Sequence, residues 1–108
     1  MSIVKLVQGD TGPLIPLYVT NTATGAAVDL TGMVSSRLLF RAQGSTTTLT
    51  TVTLSNVDLA NGVLGLTPTS AMTTNAGTFE GEVEITMPGS VIVTGYEIIQ
   101  FFIRAQFT

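Results

Sequence analysis

The chain has 108 residues, 44% of them hydrophobic and only 10% charged, with a net charge of −3 and neither cysteine nor histidine. That length makes one domain, residues 1–108, with a single core, and the missing side chains exclude a disulfide framework, a thiolate metal site and the usual general base. Four cations, Lys5, Arg37, Arg41 and Arg104, form no basic patch, so no nucleic-acid partner is expected; no signal peptide and no apolar run long enough to span a bilayer is read, so no membrane partner is expected either.

In chain order, Lys5-Leu6-Val7 reads as a strand that runs into the corner Gln8-Gly9-Asp10-Thr11-Gly12-Pro13. Asp and Thr cap turns, Gly supplies positive φ and Pro pre-sets φ. Leu14 to Val19 is strand-like but carries Pro16, which predicts an edge strand or a bulge. Asn21 to Gly25 reads as a loop, and Val28-Asp29-Leu30-Thr31-Gly32 as a second corner. Val34, Ser36, Leu38, Phe40 and Ala42 then share one face of a strand, with Arg37 and Arg41 opposite. The threonine-rich stretch from Thr46 to Leu54 is β-branched and predicts a strand, with a bulge where its parity breaks between Leu49 and Val52.

Asp58-Leu59-Ala60-Asn61-Gly62 resembles the start of a cation loop, but without the spaced acids of an EF-hand it reads as an Asx-type turn. It opens a short strand, Val63 to Thr67. Pro68 to Asn75 predicts a single helical turn, capped by Thr69 or Ser70, that crosses from one sheet to the other. Gly77 to Met87 carries the clearest signal. Phe79, Val83, Ile85 and Met87 share one parity, and Glu80, Glu82, Glu84 and Thr86 the other, so the first set faces a core. Pro88-Gly89-Ser90 turns the chain into a return strand, Val91 to Thr94, completing a hairpin. The last segment, Tyr96 to Phe107, is apolar on both parities at Ile98-Ile99 and Phe101-Phe102-Ile103. Such a strand is either central in the fold or covered by a partner. The pattern as a whole predicts an all-β protein, an immunoglobulin-like antiparallel β-sandwich.

Chemistry-bearing groups are few. Glu80, Glu82 and Glu84 place three carboxylates on one sheet face, about 6.6–6.8 Å apart between neighbours. An acid–base pair or a Ca²⁺ site is conceivable there, but a solvated strand face that discourages edge aggregation is the better reading. Gly9 and Gly12 are not followed by a Lys-Ser/Thr pair or a helix, so they form no phosphate loop. The threonine run reads as strand propensity rather than an ice- or glycan-binding array. No catalytic residue, metal ligand or cofactor is expected. The low charge, with a mean hydropathy of +0.49, suggests that part of the surface is buried against other subunits.

The two corners, and then Ala76-Gly77-Thr78-Phe79-Glu80-Gly81-Glu82-Val83-Glu84-Ile85 with Pro88-Gly89 after it, resemble in order and rough spacing the N-terminal domain of phage baseplate upper proteins. The resemblance spans nearly the whole chain and implies an immunoglobulin-like virion module with no enzymatic role. It implies other virion proteins of the tail or baseplate as partners, a homo-oligomer or many copies in a symmetric assembly, and synthesis in the bacterial host cytoplasm. In that family a long fibre or receptor-binding region usually follows, whereas this chain stops at Thr108. That difference suggests an adaptor, a ring component, or a capsid decoration protein on the major capsid protein. The expected interface residues are Gly9, Asp10, Pro13 and Pro16 near the first corner, and Tyr96, Ile98 and Phe102 in the last segment. A soluble adhesin or carbohydrate-binding module is the rival of another class. It would need an aromatic platform, and most aromatics here fit core positions.

Overall fold

A computed structural model describes residues 3–21, 23–94 and 98–107. Among these residues nine strands are formed: β1 (Ile3–Val7), β2 (Ile15–Tyr18), β3 (Ser35–Ala42), β4 (Thr50–Thr53), β5 (Ser55–Asp58), β6 (Val63–Leu66), β7 (Gly77–Met87), β8 (Val91–Thr94) and β9 (Ile99–Arg104). A 3₁₀ turn, Leu59–Asn61, follows β5, and one helical turn, α1 (Ser70–Thr73), links β6 to β7. A six-stranded sheet has the order β1-β9-β7-β3-β4, with β8 added to β7, and a three-stranded sheet has the order β2-β6-β5. The two sheets pack as a sandwich of the expected all-β, immunoglobulin-like class. Its pairs are antiparallel except β1 with β9, which run parallel.

Alternation of side chains decides what is buried. β3 turns Ser36, Leu38 and Phe40 inward, and β7 turns Phe79, Val83 and Ile85 inward, because successive side chains in a strand point to opposite faces. Phe40 stacks on Phe79 with centroids 5.1 Å apart and meets Phe101 edge-on at 5.2 Å, two geometries that the ring quadrupole favours. From the small sheet, Leu17, Leu64 and Leu66 close the core, with Leu30 and Met72.

β9 is central in the large sheet. It lies between β1 and β7, burying Ile99, Phe101 and Ile103 and leaving Phe102 37% exposed on the outer face. Pro16 lies in β2, an edge strand, as its missing N–H demands.

The threonine-rich stretch differs from expectation. Only Thr50–Thr53 forms a strand. Ahead of it the Ser45 hydroxyl accepts from the Thr47 N–H at 3.1 Å, and the Ser45 N–H bonds Ala42 O at 3.0 Å. A local turn held by a hydroxyl thus competes with the ladder. The bulge falls later, between Asn56 and Asp58 in β5. Across Leu54 the chain leaves the large sheet and enters the small one as β5, a strand the sequence pattern does not reveal.

α1 crosses between the sheets as predicted, but no side chain caps it. Thr69 occupies the N-cap with extended backbone, and its hydroxyl is buried without a partner. The turn is held instead by the burial of Met72 and Thr73.

Candidate functional site: corners, outer face and sheet edges

The first corner is a structural clasp. The Asp10 carboxylate accepts from the Val7 N–H at 3.0 Å, and the Asp10 N–H donates to Val7 O at 3.0 Å. The Thr73 hydroxyl donates to Asp10 O at 2.8 Å, Gly9 N–H donates to Thr73 O at 3.0 Å, and the Gln8 side-chain amide donates to Thr74 O at 2.8 Å. Gly9 and Asp10 therefore lock the end of β1 onto α1. Pro13, at the end of the corner, is exposed, as is Pro16 on the edge of the small sheet.

In the second corner the Asp29 carboxylate accepts from both the N–H and the hydroxyl of Thr31. The hydroxyl bond, then the backbone bond, lowers the Asp29 pKa below its ordinary value. Leu30 is thereby turned into the core, its N–H on Leu59 O at 2.8 Å. The Asp58–Gly62 segment is likewise a turn: Asn61 donates to the Asp58 carboxylate at 2.8 Å, and Gly62 adopts φ +68°.

The three glutamates share the outer face of β7, and the register with β3 decides their fate. Arg37 lies opposite Glu84 and Arg41 opposite Glu80, and both are joined as ion pairs, at 2.6 and 2.7 Å. Glu82 lies opposite Leu39. Two of three carboxylates are thus held by arginines from the neighbouring strand, an arrangement that stabilises cross-strand pairing. Among the described residues no group of three acidic or metal-ligating side chains could hold a metal ion. Ile98 joins Leu39, Arg41, Glu80 and Glu82 around a hollow of about 70 Å³. Phe102 lines a separate open trough with Lys5, Thr78 and Arg104.

Six of the seven expected interface residues fall among the described residues. Gly9, Asp10 and Pro13 belong to the first corner and Pro16 to the edge of the small sheet. Ile98 and Phe102 are four residues apart along the β9 segment, roughly 13 Å at strand rise. Tyr96 lies outside the described residues.

The return strand β8 lies where the sequence places it, Val91–Thr94; what sequence reasoning missed is its exposure. All four of its residues are exposed, with Val91 at 54%, Ile92 at 61% and Val93 at 45%. It pairs with β7 from Glu84 to Met87, beyond the stretch of β7 that β9 covers. The signal was present as Val91-Ile92-Val93, a return strand without a polar alternate.

No protein-family model matches the sequence, and no curated protein matches it. Among solved structures the chain is similar to CopC from Methylosinus trichosporium OB3b, with a TM-score of 0.53 and 9% identity over 100% of this chain and 89% of that one. No helix among the described residues is long and apolar enough to cross a membrane. At 9% identity the likeness extends to the fold: a β-sandwich over the full length.

Proposed function

We propose that this chain is a non-enzymatic structural protein of a bacteriophage virion, an immunoglobulin-like module that makes subunit contacts in the tail or baseplate or as an adaptor for fibres. The observation that carries this reading is the work done by its motifs. The Gly9-Asp10 corner, the Asp29-Thr31 corner and the glutamates of β7 are the residues that resemble the phage family. Each is engaged in holding a turn or a strand pair, so the resemblance lies in an architecture and not in a reaction. The partners are other virion proteins, and further copies of the chain in a symmetric assembly where weak contacts at many sites add up.

The exposed apolar surface supports contact over catalysis. A competent acid or base needs a cleft that perturbs its pKa, and Glu80 and Glu84 are tied to arginines instead. Phe40, Phe79 and Phe101 are spent in the core, and the exposed aromatics among the described residues, Tyr18, Phe102 and Phe107, lie on β2, on β9 and beyond β9, not along one strand as a flat glycan platform would require.

Immunogold electron microscopy of purified particles, with antibody to this chain, tests the reading. Label at the tail or its tip is expected. Label over the head makes the chain a capsid decoration protein on the major capsid protein. Particles without label, and without the chain by mass spectrometry, overturn the virion reading and favour a soluble binding module.

A further inference from the structure

We propose that β8 is a homotypic pairing edge: two copies of this chain join their large sheets through antiparallel β8–β8 contact. This inference concerns the chain's own association and does not rest on the virion reading.

The edges of the two sheets are not alike. β1 carries Lys5 at its middle, β2 carries Pro16, β5 is bulged and ends in Asp58, and β4 is threonine at three of its four positions. A central charge, a proline and a bulge are devices that keep an edge from pairing. β8, Val91-Ile92-Val93-Thr94, has none of them. Among the described residues its one ladder is with β7, so its other side presents unpaired backbone donors and acceptors.

The apolar side chains say what fits. Register with β7 puts Ile92 on the outer face beside Thr86, and Val91 and Val93 on the inner face beside Met87 and Ile85. The inner face of a sandwich is normally covered by the opposing sheet, but here three strands face six, and β8 overhangs. Val34, 67% exposed, precedes β3 at the same end of the sheet, its N–H donating to Thr86 O at 2.8 Å. An incoming strand must therefore be apolar on both faces and uncharged. Within this chain β9 does not qualify, because it carries Gln100 and Arg104 on its outer parity and is enclosed by β1 and β7. The exposed strand that qualifies is β8 itself.

Two-fold antiparallel pairing is self-consistent. With the axis through Ile92, that residue lies opposite Ile92 of the partner subunit, and Val91 lies opposite Val93 of the partner subunit. No charge opposes a charge. The two overhanging inner faces become neighbours, and each valine gains cover that its own small sheet does not provide. Cross-strand β-branched pairs of this kind are favourable. Four residues a side is small beside the roughly 20–30 of a standard interface, so the free dimer is weak and concentration-dependent, and an array of copies strengthens it.

Sedimentation velocity over a concentration series, run on the whole chain, is the test. Self-association up to a dimer is expected for the native chain, with the amides of Val91 to Thr94 exchanging hydrogen more slowly at high concentration. Ile92→Lys places two like charges opposite each other and should raise the dimer dissociation constant about tenfold or more. Its thermal midpoint should stay unchanged, because the side chain is exposed. Ile92→Thr, which keeps strand propensity without charge, should weaken the dimer less. A native chain that is monomeric throughout overturns the proposal and leaves the edge to a strand of another protein. Association that survives Ile92→Lys, with no concentration dependence of exchange in β8, places the contact elsewhere and overturns it equally.

Discussion

At the scale of single residues, two glycines and one aspartate give sharp tests of the fold. Gly62 sits at φ +68°, and a Cβ there would stand 2.6 Å from Val28 O and 2.7 Å from Val19 O. Both neighbours are backbone and cannot swing away, so Gly62→Ala combines left-handed strain with a hard clash and should cost about 3 kcal/mol or more. At Gly81 the added Cβ would meet Phe101 at 2.8 Å and Leu38 at 3.0 Å. Side chains give way more readily than backbone, and Gly81→Ala should cost about 1–3 kcal/mol as overpacking. Urea denaturation of the two variants should rank Gly62→Ala as the more damaging; the reverse order refutes the backbone argument. Asp29 yields a pH prediction. Its folded pKa lies below the unfolded value of 3.8 because Thr31 bonds the carboxylate. The stability it contributes is present above that unfolded value and is lost as pH falls through the lowered folded value. In Thr31→Val the Asp29 carboxyl, followed by NMR titration, should move up toward its ordinary value. The same low value with and without the hydroxyl would rule out the bond as its main cause.

At the scale of elements, β7 shows how one strand divides its labour between faces. Ile85 is 1% exposed and packs in the core, while Glu84 beside it pairs with Arg37 in partial contact with water. Ile85→Ala should therefore cost about 2–5 kcal/mol, and Glu84→Gln less than about 1 kcal/mol, since exposed ion pairs contribute little. Chemical denaturation of both variants checks the contrast, and comparable losses would contradict it. The alternation that makes this prediction is written into the chain from Phe79 to Met87, and the β7–β8 hairpin was legible for that reason. β5 was not legible, because its four residues are all exposed and it exists through its pairing with β6. The ion pairs stood halfway. The parity of Arg37, Arg41 and the glutamates could be read, but which carboxylate each arginine meets depends on register, a property of two strands at once. The corners could be read as turns from Asp10 and Asp29, whereas the bonds to Thr73, some sixty residues away, could not.

At the scale of the whole molecule, the unequal sheets are the property that no local pattern announces. Hydrophobic alternation says that a strand has an inner face, not whether an opposing strand arrives to cover it. Val91 and Val93 have the composition of core residues, and their exposure follows from three strands facing six. The last segment held the same ambiguity: β9 is central within its sheet, since β1 reaches back to flank it, while Phe102 on its outer face stays 37% exposed. That pairing of the first strand with the last also has a mechanical side. β1 and β9 run in the same direction, with Ile3 beside Gln100 at one end and Val7 beside Arg104 at the other. Tension applied between Ile3 and Arg104 slides the two strands past each other and loads every bond of their ladder together. Tension between Val7 and Arg104 peels the ladder from one end, bond after bond. With cysteine handles introduced into a chain that has no thiol of its own, single-molecule pulling should find the first geometry to rupture at the higher force. If so, the domain transmits a lengthwise load without opening and gives way to a load applied across one end.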